Sequence, residues 1–72
     1  MIIDVDNSFN KLADEIKAEA QKIVDQKQSF RELRDMAEFY GRRGWQRGSV
    51  KDIQKLIVYS IALIHKAKNT ED

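Results

Sequence analysis

The sequence predicts an all-α chain of three helices, an expectation based on its helix breakers and its apolar periodicity. The chain has 72 residues and no proline, and its three glycines all lie within residues 41–48. Apolar residues recur at three- and four-residue spacing in three segments, which is the period of an amphipathic helix. We therefore expect helices over about residues 8–26, 30–43 and 50–68, packed as a single domain of residues 1–72.

The first helix is expected to follow a short N-terminal arm, residues 1–6. Asn7 or Ser8 can cap it, because a short polar side chain accepts hydrogen bonds from the free amides of the first turn. The apolar stripe of this helix contains Phe9, Leu12, Ile16, Ile23 and Val24. Glu19 interrupts the stripe. We expect the stripe to face the other two helices.

The second helix is expected to begin at Ser29. Residues 29–32, Ser-Phe-Arg-Glu, have the spacing of a capping box, in which the serine and the glutamate each bind the other's backbone amide. The polar stretch 25–28 before it is short, which favours an antiparallel arrangement of the first two helices. If Ser29 is not used as a cap, the two segments would fuse into one bent helix, and the sequence leaves this alternative open.

Residues 41–48, Gly-Arg-Arg-Gly-Trp-Gln-Arg-Gly, are expected to form an elbow after the second helix. Gly41 or Gly44 can supply the left-handed residue that ends a helix, and the amides of a glycine-rich turn attract anions. Trp45 either anchors a partner or folds inward against the core. The residues predicted to bind a partner lie in this elbow and in the next turns: Arg42, Arg43, Trp45, Arg47, Lys51 and Lys55.

The third helix is expected to be capped by Ser49, and it is apolar on two faces. One face contains Ile53, Ile57, Ile61 and Ile64, and the other contains Leu56, Tyr59 and Leu63. Two neighbouring helices cover roughly half to two-thirds of such a helix, and monomers rarely expose a contiguous apolar patch. We therefore predict a symmetric homodimer through the third helix, with the second face at its interface and residues 1–3 as further cover.

The composition gives no indication of catalysis or of a bound metal or cofactor. The chain has no cysteine, and its single histidine, His65, is followed by lysine, an unfavourable setting for a metal ligand. The acidic and polar residues of segment 4–15 have a spacing like that of a calcium-binding loop. However, Phe9 stands where that loop requires glycine. We expect no enzymatic activity, no metal and no cofactor.

Charge and hydropathy indicate a soluble, cytoplasmic protein whose acidic residues are concentrated in the first half and whose basic residues are concentrated in the second. Residues 1–40 carry nine acidic and six basic side chains, whereas residues 41–72 carry three acidic and seven basic ones. No secretory signal pattern opens the chain, and the uncharged run 56–64 is far shorter than the ~20 residues of a membrane span. The basic second half permits an anionic partner without requiring one.

Residues 36–41, Met-Ala-Glu-Phe-Tyr-Gly, resemble the core of a helix-turn-helix motif, in which Leu-Ala-x-x-x-Gly joins two helices. The resemblance implies that the start of the third helix enters the major groove of DNA. The residues that would face the groove are Ser49, Lys51, Asp52, Gln54 and Lys55. Residues 42–48 make the turn longer than the family's pattern, and the third helix is more apolar than a recognition helix.

Two functions follow from these patterns. We expect a small non-enzymatic interaction module that docks onto a larger protein, as an inhibitor, adaptor or assembly subunit, through the elbow. The alternative is a nucleic-acid-binding protein, either a degenerate helix-turn-helix or a basic patch that binds phosphates. These functions differ in salt dependence, because binding to phosphates weakens steeply as salt is added.

Overall fold

The computed structural model describes residues 5–70, with side chains described over residues 8–69. This part of the chain forms three α-helices: α1 is Val5–Asp25, α2 is Phe30–Arg47 and α3 is Val50–Thr70. No strand occurs among the described residues. The all-α, three-helix prediction is therefore confirmed, and α2 extends furthest beyond its predicted end.

The predicted N-terminal arm, residues 1–6, overlaps helix α1. Val5 and Asp6 belong to that helix, and it begins ahead of the predicted caps Asn7 and Ser8. Residues 1–4 lie outside the described residues, and with them lies the predicted cover of the core by residues 1–3.

Helices α1 and α2 are separate, which answers the question that the sequence left open. The chain turns between them at Lys27, which has a left-handed φ of 54°. The capping box at Ser29 is formed as predicted. The amide of Glu32 donates to Ser29 Oγ over 3.1 Å, and the amide of Ser29 donates to Glu32 Oε1 over 3.5 Å.

Helices α2 and α3 form an antiparallel hairpin with a connection of two residues, Gly48 and Ser49. Gly48 has a left-handed φ of 62°, and its amide donates to the carbonyl of Gly44 over 2.8 Å. Ser49 caps α3 as predicted, because its Oγ accepts from the amide of Asp52 over 3.3 Å. This tight connection lets the two helices pack side by side.

The predicted elbow at residues 41–48 is not formed, because α2 remains helical through Arg47. Gly41 and Gly44 lie on the face of α2 that packs against α3. A Cβ atom at Gly44 would lie 3.1 Å from Ile53 Cγ1 and 3.2 Å from the Ile53 backbone nitrogen. These two glycines permit a close approach of two helices, and the left-handed position belongs to Gly48.

The core is small and lies where α2 and the end of α1 meet α3. Its buried centre consists of Leu33, Tyr59 and Ala62. Partly buried side chains surround this centre: Ile23, Val24, Met36, Ala37, Tyr40 and Leu63. The rings of Tyr40 and Tyr59 are stacked, with their centroids 5.7 Å apart. Both outer helices thus pack on α3, which is the central element of the fold.

Membrane-spanning character is not found in the described helices. None of the three is both long enough and apolar enough to cross a bilayer.

Candidate interaction surfaces

Trp45 stands on the outer surface of α2 and is 89% exposed. The alternative in which it folds inward against the core is therefore wrong. The reason is the continuous helix: Gly44 faces α3, and the next residue of a helix is rotated by roughly 100°. Trp45 therefore points away from the hairpin interface.

Two of the predicted partner-binding arginines are engaged within the chain. Arg42 Nη2 lies 2.9 Å from Glu38 Oε1, one turn earlier on the exposed surface of α2. Arg43 Nε lies 3.2 Å from Asp52 Oδ2 on α3, and its guanidinium carbon lies 5.7 Å from the centre of the Phe39 ring. Both cations are therefore partly neutralised before any partner arrives.

Lys55, also predicted to bind a partner, joins α3 to α1 through Glu19. Lys55 Nζ lies 3.0 Å from Glu19 Oε2, and Gln54 Nε2 donates to Glu19 Oε1 over 3.0 Å. The hydrogen bond from Lys55 lowers the pKa of Glu19, and the same bond raises the pKa of Lys55. The acid that interrupts the apolar stripe of α1 is thus a polar link between two helices.

The remaining predicted partner-binding residues, Arg47 and Lys51, are exposed and form no ion pair with another described side chain. Arg47 lies on the rim of a shallow depression on the outer face of α2. Both acidic and basic side chains line this depression, with Phe39 among them: Asp35, Glu38, Phe39, Arg42, Arg43, Gln46 and Arg47. The basic patch expected from the sequence is therefore a surface of mixed charge.

The geometry differs from that of a helix-turn-helix motif. Gly41, the expected turn residue, is inside a helix, and α2 and α3 lie side by side along their lengths. The start of α3 is also occupied, because Asp52 binds Arg43 and Lys55 binds Glu19. These side chains are therefore held by the chain itself and do not form an open row for base contacts.

The face of α3 predicted for the dimer interface is occupied within the chain. Tyr59 and Leu63 pack in the core, and a Cβ atom at Gly41 would lie 3.4 Å from Leu56 Cδ1, which places Leu56 against α2. The accessible apolar surface is the other face of α3. We call it the α3 stripe, and it consists of Val50, Ile53, Ile57, Ile61 and Ile64.

Beside the α3 stripe lies an apolar groove between α1 and α3, with a volume of about 510 Å³. Phe9, Leu12 and Ile16 of α1 form one wall, and Ile57 and Ile61 of α3 form the other. The α1 residues are the stripe that the sequence predicted to be covered. In the structure Phe9 and Leu12 remain 67% and 44% exposed, because this groove is open to solvent.

Acidic and histidine side chains do not form a group that could hold a metal ion in the described part of the chain. No three acidic or histidine side chains come together there, and the ring of His65 lies within hydrogen-bond distance of Asn69 Nδ2, at 3.0 Å. Comparison with protein-family models, curated proteins and solved structures finds no match to this chain.

Proposed function

We propose that this chain is a non-enzymatic interaction module that docks onto a larger protein, as an inhibitor, adaptor or assembly subunit. The docking surface is the outer face of α2 around Trp45. The observation that carries the proposal is the 89% exposure of this tryptophan on a regular helix. Tryptophan is enriched among the residues that dominate binding energy at protein interfaces, and its burial removes a large apolar area from water.

The helical setting of Trp45 supports its use as an anchor. A side chain on a helix is already held in position, so binding costs less conformational entropy than ordering a loop would. No core contact explains why a tryptophan occupies this position, since its neighbour Gly44 makes the contact with α3. An exposed, preorganised tryptophan is well suited to fill a pocket on another protein.

The ion pairs of the predicted partner-binding cations favour a protein partner over nucleic acid. Phosphate binding depends on cations that are available to replace counterions. Arg42, Arg43 and Lys55 already lie against Glu38, Asp52 and Glu19, respectively. Protein–protein interfaces commonly have a polar rim with charges of both signs, and these charges set the orientation and the specificity of docking.

We also propose that the module is a symmetric homodimer packed through α3, and its dimensions support this. The chain exposes 6021 Å² and has a radius of gyration of 13.9 Å. A compact monomer of 8.4 kDa would expose roughly 4,600 Å² and have a radius of about 11 Å. The surplus surface, on the order of 1,400 Å², exceeds the ~800 Å² that one partner gives to a standard interface.

The docking proposal is tested by comparing the proteins that bind immobilised wild-type chain and its Trp45→Ala variant in extracts of the source cells. Because Trp45 makes no core contact, the variant should keep the wild-type helical circular dichroism and thermal midpoint. We expect at least one protein to be retained in stoichiometric amount by the wild type and lost from the variant. Phe30→Ala, which removes another partly exposed aromatic side chain, is the matched control and should retain that protein.

The only tryptophan of the chain also gives a direct signal. Once a partner has been purified, its addition should shift the emission of Trp45 to shorter wavelength, because the indole leaves water. Identical sets of captured proteins for the wild type and Trp45→Ala would contradict the docking proposal, and so would an unchanged emission on saturation with the partner.

A further inference from the structure

The spacing of the α3 stripe is the same when it is read in either direction along the helix. Ile57 is its centre, and apolar residues follow four and seven positions away on both sides: Val50, Ile53, Ile61 and Ile64. All five side chains are accessible to solvent. Their exposed fractions are 76% for Val50, 42% for Ile53, 41% for Ile57, 41% for Ile61 and 56% for Ile64. A surface that pairs with its own copy about a two-fold axis needs this kind of symmetry.

No charged side chain belongs to the α3 stripe. The three charged residues of segment 50–64 are directed elsewhere: Asp52 binds Arg43, Lys55 binds Glu19, and Lys51 lies beside α1. Two identical apolar surfaces can therefore meet without placing like charges against each other. A charged partner would find no complementary group on this face.

We propose that two copies of the chain pair through their α3 helices in antiparallel orientation, with the two-fold axis at Ile57. This inference rests on the homodimer part of the proposed function and specifies its interface. Ile57 then packs against the partner's Ile57, Val50 against the partner's Ile64, and Ile53 against the partner's Ile61. The opposed helix dipoles also favour this orientation over a parallel one.

The α3 stripe departs from the regular seam of a coiled coil. Both parallel and antiparallel coiled coils have apolar residues at alternating spacings of three and four, so after Val50, Ile53 and Ile57 the next seam position would be residue 60. That residue is serine, and its hydroxyl donates to the carbonyl of Leu56 over 2.7 Å. The antiparallel arrangement uses Ile61 in its place, which the reversed spacing puts opposite the partner's Ile53.

The α1–α3 groove enlarges the proposed interface. Phe9, Leu12 and Ile16 of α1 lie beside Ile57 and Ile61, so a second α3 on the stripe would also contact α1. Lys17 and His65 line the same groove and would lie at the edge of this enlarged interface. These α1 side chains would then be covered on the side where the chain itself leaves them open. The surplus surface of the chain is sufficient for an interface of this extent.

Disulfide trapping tests the orientation directly, because the chain has no cysteine of its own. In the proposed dimer, Ile57→Cys lies beside its own copy and should form a covalent dimer under mild oxidation. Val50→Cys and Ile64→Cys should each remain uncrosslinked alone, since each lies about 21 Å along the helix from its copy, far beyond the ~7 Å limit for a disulfide. An equimolar mixture of these two variants should crosslink efficiently.

Lys11→Cys, on the exposed face of α1, controls for random collisions and should give little product under the same conditions. Sedimentation equilibrium of the wild-type chain separates the two proposals. A dimer with the stated crosslinking pattern supports both. A dimer in which Val50→Cys links to itself, or in which Ile57→Cys does not, overturns the antiparallel interface and leaves the homodimer intact. A monomer at 100 µM overturns both.

Discussion

The guanidinium Nε of Arg43 on α2 lies 3.2 Å from Oδ2 of Asp52 on α3, and Asp52 is only 8% exposed. Asp52 is in the first turn of α3, where the positive end of the helix dipole also favours a carboxylate. The ion pair therefore fastens the end of one helix to the beginning of the next. Arg43, which the sequence predicted to bind a partner, is therefore held in an ion pair between two helices of its own chain.

Replacing Arg43 with alanine should destabilise the chain by about 1–3 kcal/mol, because a nearly buried carboxylate loses a charged hydrogen-bond donor. The measurement is urea unfolding followed by circular dichroism. Arg42→Ala is the matched control. Its ion pair with Glu38 is exposed on one helix and should cost less than about 0.5 kcal/mol. Equal losses for the two variants would contradict the structural role of Arg43.

Gly44→Ala and Gly41→Ala should have opposite effects on stability. At Gly44 the new Cβ would meet the Ile53 backbone nitrogen at 3.2 Å, and separating the helices should cost about 1–3 kcal/mol despite better helix propensity. At Gly41 the nearest atom is a flexible Leu56 methyl at 3.4 Å, so alanine should stabilise by up to ~1 kcal/mol. Thermal midpoints should separate by at least ~4 °C. A hinge at these residues would make both substitutions harmful.

The Glu19–Lys55 pair should make stability depend on pH at both ends of the scale. The pKa of Glu19 is lowered below its ordinary value of 4.5 by the hydrogen bond from Lys55. The stability from this carboxylate is therefore complete above pH 4.5 and is lost as the pH falls through its folded pKa. The pKa of Lys55 is raised above 10.5, so its contribution is lost as the pH rises through the folded value.

Glu19→Gln isolates this contribution to the pH dependence. The side chains of Lys55 and Glu19 are 46% and 32% exposed to water, so the difference from the wild type at pH 7 should be under about 1 kcal/mol. It should shrink toward zero in acid, where Glu19 is protonated in both folded and unfolded chains. Urea midpoints measured over a series of pH values from 7 downward provide the comparison. A difference that does not shrink anywhere in this series would point to packing and not to charge.

Nucleic acid should leave the fluorescence of Trp45 unchanged, because three of the predicted partner-binding cations, Arg42, Arg43 and Lys55, already bind carboxylates. We would titrate mixed-sequence DNA and RNA at low and at physiological salt. Saturable quenching that weakens steeply with salt would contradict this expectation and favour the phosphate-binding alternative. Should quenching occur, a variant with Arg42, Arg43 and Arg47 changed to glutamate tests its origin. Loss of quenching in that variant would assign the binding to the basic surface.

The three helices and the starts of α2 and α3 could be predicted because the signals are local. Ser29 and Ser49 cap helices through contacts within one turn, and apolar periodicity identifies a helix from its own residues. The role of Gly41 and Gly44 could not be read in this way. A glycine that ends a helix and one that lets another helix approach look alike until the opposite surface is known.

The candidate surfaces were only partly predictable for a similar reason. The sequence identifies two apolar faces on α3 but does not show which of them α2 covers, since that depends on contacts such as Tyr40 with Tyr59. It also gives no indication that Glu19 meets Lys55, 36 positions later. The sequence left open whether Trp45 is exposed or buried, because its exposure follows from the unbroken course of α2, which the glycines concealed.

The position of Trp45 on α2 has a consequence for valency. The tryptophan is not a member of the α3 stripe, so in the proposed dimer it would be available in each copy, and the assembly would be bivalent. A target that displays the cognate pocket twice, at a matching distance, would bind the second tryptophan as an intramolecular step. Avidity of this kind strengthens binding by about 10²–10⁴-fold without any new contact. Such a module would discriminate repeated or oligomeric targets from single ones through the geometry of its two anchors.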